Sequence, residues 1–142
     1  MKELAGKYSG RGTAKLVGDK SDKVICKIEN SFDSAKHALS LAGNCASVKG
    51  KASVNGKVIN KGGKISGVLV RAKNTKVTKS HGEYKNGSLT LFTTTVDEKN
   101  GSISKVRQKI TKTSNGINTV FHRFDNKQGA YLKVGELKLK RL

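Results

Sequence analysis

Hydrophobic and polar residues alternate along most of this chain, in short segments separated by turn residues. In residues 7–17, the even positions carry aromatic, small or apolar residues, whereas most odd positions are polar. A period of two places successive side chains on opposite faces of a β-strand. Turn signals recur about every ten residues, a spacing typical of a β-sandwich or barrel. The pattern therefore predicts an all-β protein.

The segments between turn signals predict ten strands. They lie at about 7–17, 23–32, 39–45, 49–60, 64–73, 76–85, 88–97, 102–113, 117–124 and 130–141. The first turn is placed at 18–22, and Asn86-Gly87 is the strongest hairpin signal. Because all connections are short, neighbours should be antiparallel in an up-and-down meander. About 8–10 such strands should close into a barrel, since an open sheet of that size leaves exposed edges. We expect one domain over 1–142.

The segment 33–43 is ambiguous between a helix and a strand. Asp33-Ser34 could cap a helix, but the alternation of Leu39 and Leu41 favours a strand. A hairpin tip at 35–36 places Cys26 opposite Cys45, and opposed Cα atoms lie within disulfide range. A Cys26–Cys45 disulfide is therefore predicted, with two buried free thiols as the alternative.

Composition adds a strong positive charge to this picture. The chain has 142 residues, 29 Lys and Arg against 10 Asp and Glu, and a net charge of +19. Apolar residues make up only 35%, so the core should be thin, and the absence of Pro suits strands that need every backbone N–H. The charge is spread along the chain and would attract polyanions without selecting among them. An A+T-rich genome, which favours Lys and Asn codons, is an equally good explanation.

Catalytic and metal-binding patterns are not recognisable. The three histidines have no metal-ligand spacing, and the nucleophile motif Gly-x-Ser-x-Gly does not occur. Two alternatives remain open: haem binding through His122, and a carboxylate pair drawn from Glu83, Asp97 and Glu136. We expect a protein that is not an enzyme and that has no cofactor and no metal site.

The two ends of the chain resemble those of lipocalin-like (calycin) barrels. The opening Leu4-Ala5-Gly6-Lys7-Tyr8-Ser9-Gly10 is similar to their Gly-x-Trp entry, with Tyr8 at the Trp position, and 136–141 resembles their basic closing strand. The resemblance implies a lipocalin-like barrel in which Tyr8 packs under Arg141 at the closure. This cation–π contact would be worth about 0.5–2 kcal/mol.

Most of the chain also resembles a group of small, uncharacterised exported proteins of alphaproteobacteria. The matching segments are Gly-Lys-Tyr-Ser-Gly-x-Gly at 6–12, Lys-Val-Ile-Cys at 23–26, Leu-x-Leu-x-Gly-x-Cys-Ala-Ser at 39–47, Gly-Gly-Lys-Ile-Ser-Gly at 62–67 and Leu-x-Leu-x-Arg at 137–141. This resemblance implies export and no established activity. No signal peptide is recognisable here, so the sequence fits a cytosolic protein or a mature exported form. The predicted disulfide favours a periplasmic or secreted location.

These observations lead to a non-catalytic, exported binding protein, a secreted effector or envelope protein of a host-associated bacterium. It would engage an acidic protein, a glycan or an anionic lipid surface through its basic exterior. Eight cations are candidate contacts: Lys49, Lys51, Lys57, Lys61, Lys64, Lys105, Arg107 and Lys109.

Two alternative functions remain. The barrel could carry a small apolar ligand, or its interior could be filled by the inward side chains Val24, Ile28, Leu39, Leu41, Val54, Leu89 and Leu91. The protein could also bind nucleic acid non-specifically. Aromatic residues are few, and we expect Tyr8, Phe32 and Tyr131 in the core. In 121–124, alternation puts Phe121 on one face and Phe124 on the other, so at most half of this cluster could contact a base.

Overall fold

Ten antiparallel strands form a closed barrel, as the alternation predicts. The computed structural model describes residues 1–17, 20–71 and 74–142, without the side chains of residues 16, 17 and 20. A 3₁₀ turn, Lys2–Leu4, precedes the strands. These are β1 Gly6–Val17, β2 Lys20–Asp33, β3 Ala38–Ser47, β4 Gly50–Lys61, β5 Lys64–Val68, β6 Thr75–Lys85, β7 Ser88–Asp97, β8 Ile103–Lys112, β9 Gly116–Asp125 and β10 Ala130–Arg141.

The strands follow one another in chain order around the barrel. Each pairs with its sequence neighbour, and β1 also pairs with β10, which closes the sheet. The predicted up-and-down meander and its lipocalin-like closure are therefore confirmed. In the described part of the chain every strand pairs with a neighbour on each side, and β5 and β6 meet at a single pair, Ile65 with Gly82.

The hairpin of β2 and β3 confirms the strand interpretation of the segment after Phe32. Residues 34–37 form the turn, and Cys26 pairs with Cys45 in the same register that pairs Ile28 with Gly43. The two sulfur atoms are bonded, with an S–S distance of 2.05 Å. The predicted disulfide is confirmed, and such bonds persist in oxidising, non-cytoplasmic environments.

The N-terminal 3₁₀ turn closes one end of the barrel. Leu4 is fully buried, and its carbonyl oxygen accepts hydrogen bonds from the Tyr8 hydroxyl at 3.1 Å and the Asn30 amide at 3.0 Å. Arg141 faces Tyr8 across the β1–β10 seam, with its guanidinium carbon 5.4 Å from the ring centroid. An Arg141 nitrogen also donates to the Tyr8 hydroxyl at 3.2 Å. We call the N-terminal turn Lys2–Leu4 the plug. The last strand therefore contacts the first strand through Tyr8 and lies against the end of the plug through the Ala5 carbonyl.

Two predicted boundaries are wrong. β2 begins at Lys20, so 20–22 belong to a strand and not to the first turn, whose residues 18–19 lie outside the described part. β5 ends at Val68 and not at 73, and residues 72–73 of that prediction also lie outside it. Beyond Val68, the side chain of Gln108 replaces the strand ladder. Its oxygen accepts from the Leu69 N–H at 2.8 Å, and its nitrogen donates to the Val70 carbonyl at 2.9 Å.

The core consists of the inward positions of the strands. Val24, Ile28, Leu39, Leu41, Leu89 and Leu91 are buried, and Val54 packs against them, as alternation predicts. Several inward positions are polar, a feature that hydrophobic alternation does not reveal: Asp22, Asn30, Thr93, Gln108 and Thr119 are buried.

Candidate ligand-binding cavity and basic aromatic face

The barrel interior is not filled at the end opposite the N-terminal plug. β1 runs from the plugged end, at Tyr8, to a cavity of about 300 Å³ whose lining begins at Thr13. The lining is mostly apolar and includes the Cys26–Cys45 disulfide, with Val54, Val106, Phe121 and Leu137. Apolar cavities of this size hold small ligands in many proteins.

A few polar groups border this apolar space. Thr93 is only 3% exposed, and its hydroxyl has no hydrogen-bond partner within residues 1–17, 20–71 and 74–142. Lys15, Arg71 and Arg123 also line the cavity, and both arginines are exposed, which places them at its mouth. A polar cleft of about 600 Å³ adjoins the mouth and shares Arg71 and Thr75 with it. The cavity is therefore apolar inside and cationic at its entrance.

The eight cations that the sequence suggests do not form one surface. Lys51, Lys57 and Lys61 lie on β4, Lys64 on β5 and Lys49 in the preceding turn, whereas Lys105, Arg107 and Lys109 lie on β8. Three strands separate β4 from β8 in the barrel order. The set therefore divides into two groups on different sides of the barrel.

Lys49 has a structural partner. Its ammonium nitrogen lies 3.1 Å from a carboxylate oxygen of Asp22, a residue that is only 8% exposed. A buried carboxylate without a cation would be costly. The Lys49 ammonium therefore stabilises the folded barrel by pairing with Asp22. This ion pair gives Lys49 a structural role, although its side chain remains 45% exposed.

The group on β8 lies beside a cluster of aromatic rings on the outer face. Register places His81, Phe92, Arg107, His122 and Lys133 in one row across β6–β10. His81 stacks on Phe92 with centroids 5.2 Å apart, Phe92 meets Tyr131 at 5.9 Å, and Tyr131 meets Phe124 at 5.3 Å. The expectation that Tyr131 belongs to the core is wrong, because a bulge between Lys133 and Gly135 reverses the faces of β10.

The predicted division of 121–124 between two faces agrees with the structure. Phe121 and Arg123 line the cavity, whereas Phe124 joins the outer rings. Sequence alone misses the outer cluster, because its rings come from β6, β7, β9 and β10 and meet only through the barrel register.

The pKa of His122 is affected by its position on this face. Burial lowers its pKa from the ordinary value, and the charges of Arg107 and Lys133 lower it further. Its Nδ1 atom is buried and has no hydrogen-bond partner in the described part of the chain. Desolvation and neighbouring positive charge therefore both favour the neutral form of this imidazole.

Two of the three carboxylates named for a catalytic pair, Asp97 and Glu136, form hydrogen bonds within the fold. Asp97 accepts a hydrogen bond from the Lys99 N–H at 2.8 Å and so stabilises its own turn. Glu136 accepts from the Lys133 ammonium at 3.0 Å, and this bond lowers the Glu136 pKa. Among the described residues, no group of three or more His, Cys, Asp and Glu side chains is placed to hold a metal ion.

Comparison with known proteins adds no family to these observations. No protein-family model matches the sequence, and no curated protein is significantly similar to it. Within the described residues, no helix has the length and apolar character needed to cross a membrane. The fold and cavity define the class of molecule: a closed, lipocalin-like β-barrel, plugged at one end and hollow at the other.

Proposed function

We propose that this protein is a non-catalytic binding protein that carries a small, largely apolar ligand inside its barrel. The observation that carries the proposal is the apolar cavity of about 300 Å³ at the unplugged end. A filled barrel would place side chains there, whereas this one leaves room beside the disulfide and Val106. The apolar lining would gain from removing a ligand's hydrocarbon surface from water.

The polar groups at the cavity mouth predict how a ligand would be oriented in the cavity. Arg71 and Arg123 are cationic, exposed and part of the cavity lining, so an anionic end of the ligand would meet them. The apolar part would then lie deeper, where the Thr93 hydroxyl offers one hydrogen bond. The best candidate is therefore an amphipathic molecule with one anionic group.

The first test compares an anionic and a neutral fluorescent probe, anilinonaphthalene sulfonate and N-phenylnaphthylamine. Both should bind with one-to-one stoichiometry and brighten in the apolar site. Val106→Phe should fill the cavity and weaken binding of both by about tenfold. The matched control is Val48→Phe, because Val48 is 90% exposed and outside the lining. Equal binding by wild type and Val106→Phe would contradict a ligand inside the barrel.

The second test concerns the anionic end. Arg123→Gln should weaken the anionic probe by about tenfold and leave the neutral probe within about twofold. Arg11→Gln removes the same charge from an exposed position outside the lining and serves as the control. If both arginine variants weaken the anionic probe equally, the effect is that of net charge and the orientation is wrong. Native mass spectrometry would look for a ligand that copurifies.

The location and the wider biological role are separate parts of the proposal. The disulfide supports an oxidising compartment, and we propose the periplasm or the extracellular space. An acidic partner at the basic exterior, and a role as a bacterial effector or envelope protein, remain predictions from composition. The separation of the eight cations into two groups favours the cavity over a single basic docking surface.

A further inference from the structure

The outer face of β6–β10 carries exposed and half-buried rings that the barrel core does not use. We define the aromatic face as His81, Phe92, Phe124 and Tyr131. Its rings form a continuous chain with centroid separations of 5.2 to 5.9 Å. His81 is exposed and the other three rings are half-buried, so part of their surface remains open to solvent. A flat, apolar surface of this kind suits a flat, apolar partner group.

Cations lie directly beside these rings. The Lys105 ammonium is 5.8 Å from the Phe124 centroid, and the Arg107 guanidinium carbon is 5.4 Å from the Tyr131 centroid. In the described ranges 1–17, 20–71 and 74–142, neither cation forms an ion pair with a carboxylate. Lys109 extends the same outward side of β8. The face therefore combines stacking surface with unpaired positive charge at a spacing of a few ångströms.

We propose that the aromatic face binds single-stranded nucleic acid, with bases stacked on its rings and phosphates contacting Lys105, Arg107 and Lys109. Base stacking on aromatic side chains next to basic residues is the physical basis of sequence-tolerant single-strand binding. The footprint of the rings corresponds to about two or three bases. The site is on the barrel exterior, so it is separate from the cavity.

Single strands fit this surface better than other polyanions. A duplex hides its bases and would use only the cations, as would heparin or an anionic membrane. None of these partners would need the rings to lie beside the charges.

The test measures fluorescence anisotropy with labelled oligothymidylate and oligouridylate of about 12 nucleotides. Titrations run across a salt series, with a duplex, heparin and phosphatidylglycerol vesicles as comparison ligands. We expect single-strand binding to persist at about 0.15 M salt, where duplex, heparin and vesicle binding has weakened more. The proposal would be overturned if binding of all five ligands were lost at the same salt concentration, or if a comparison ligand stayed bound at higher salt than the single strands.

Variants separate stacking from charge. Phe92→Leu and Phe124→Leu should each weaken single-strand binding by about tenfold and leave heparin binding unchanged. Phe32→Leu is the matched control, because Phe32 packs against the core on β2. Arg107→Gln should lower the slope of log affinity against log salt by about 0.7, whereas Lys57→Gln on β4 should leave it unchanged. Equal losses in the face and control variants would refute a stacking site.

One measurement needs no variant. In the NMR spectrum of the wild-type protein, the ring resonances of Phe92, Phe124 and Tyr131 should shift on addition of oligothymidylate. The ring of Tyr8, buried at the plugged end, should not. If the outer ring resonances do not shift at saturation, the nucleic acid binds elsewhere and the proposal is overturned. This result does not depend on whether any variant folds.

Discussion

Tyr8 and Arg141 join the two ends of the chain at the plugged end of the barrel. The Tyr8 hydroxyl accepts a hydrogen bond from Arg141 at 3.2 Å and lies 3.1 Å from the carbonyl oxygens of Leu4 and Ala5. Arg141 itself donates to the Ala5 carbonyl at 3.0 Å. One buried hydroxyl thus connects the first strand, the last strand and the N-terminal turn.

Tyr8→Phe should destabilise the barrel by about 1–2 kcal/mol, because it removes the hydroxyl from a buried set of hydrogen bonds while keeping the ring. Urea unfolding followed by circular dichroism measures the change. Tyr131→Phe is the control, since the Tyr131 ring packs against Phe92 and Phe124 on the outer face and not at the N-terminal plug. A Tyr8→Phe protein as stable as wild type would show that the cation–π contact and packing suffice.

Gln108→Leu should destabilise the protein by about 1–3 kcal/mol, because it leaves the buried backbone groups of Leu69 and Val70 without their partner. The amide of Leu69 should also exchange with solvent faster, which hydrogen exchange detects. Gln128→Leu, in an exposed turn, provides the same substitution at a harmless position. Unchanged exchange at Leu69 would mean that Gln108 does not support this segment.

Reduction of Cys26–Cys45 should lower the free energy of unfolding by about 3 kcal/mol, as expected for a sequence separation of 19. Thermal unfolding with and without a phosphine reductant gives the difference. The Cys26→Ala, Cys45→Ala double variant should show no response to the reductant. A wild-type midpoint that does not move, with free thiols verified by titration, would contradict the prediction.

The Glu3 carboxylate should make stability fall in acid. Its hydrogen bond from Tyr84 at 2.7 Å, followed by a backbone bond and the N-terminal amine, lowers the Glu3 pKa to about 2. Because the folded pKa lies below the unfolded one, the stabilisation is present above about pH 4.5 and is lost as the pH falls through about 2. Half of the Glu3 side chain is exposed, so the effect should be small.

Glu3→Gln should remove this part of the acid dependence while leaving stability near neutral pH only slightly reduced. Unfolding midpoints of both proteins between about pH 2 and 6 make the comparison. Glu83→Gln, at an exposed position, is the charge-matched control. Parallel curves for wild type and Glu3→Gln would show that other carboxylates govern acid unfolding.

Alternation alone was sufficient for much of this fold. It predicts the strands, their inward residues and, through the tip of the β2–β3 hairpin, the Cys26–Cys45 pair, because side-chain direction and hairpin register are local properties of the chain. It fails where a side chain from a distant strand intervenes. β5 ends early because Gln108, forty residues further on, supplies the hydrogen bonds that another strand would have made.

The candidate sites depended on tertiary structure. Val106 and Phe121 share the cavity, and Phe92 and Tyr131 share the outer face, only because the barrel register brings four different strands together. Tyr131 lies on the outer face because a bulge between Lys133 and Gly135 shifts the register of β10. The alternation of hydrophobic and polar residues does not reveal this bulge. The sequence by itself determined the strands, the disulfide and the overall charge, since these follow from neighbouring residues. Only the closed barrel decided which cations lie beside the aromatic rings and where the interior contains a cavity. Both features depend on contacts between residues of different strands.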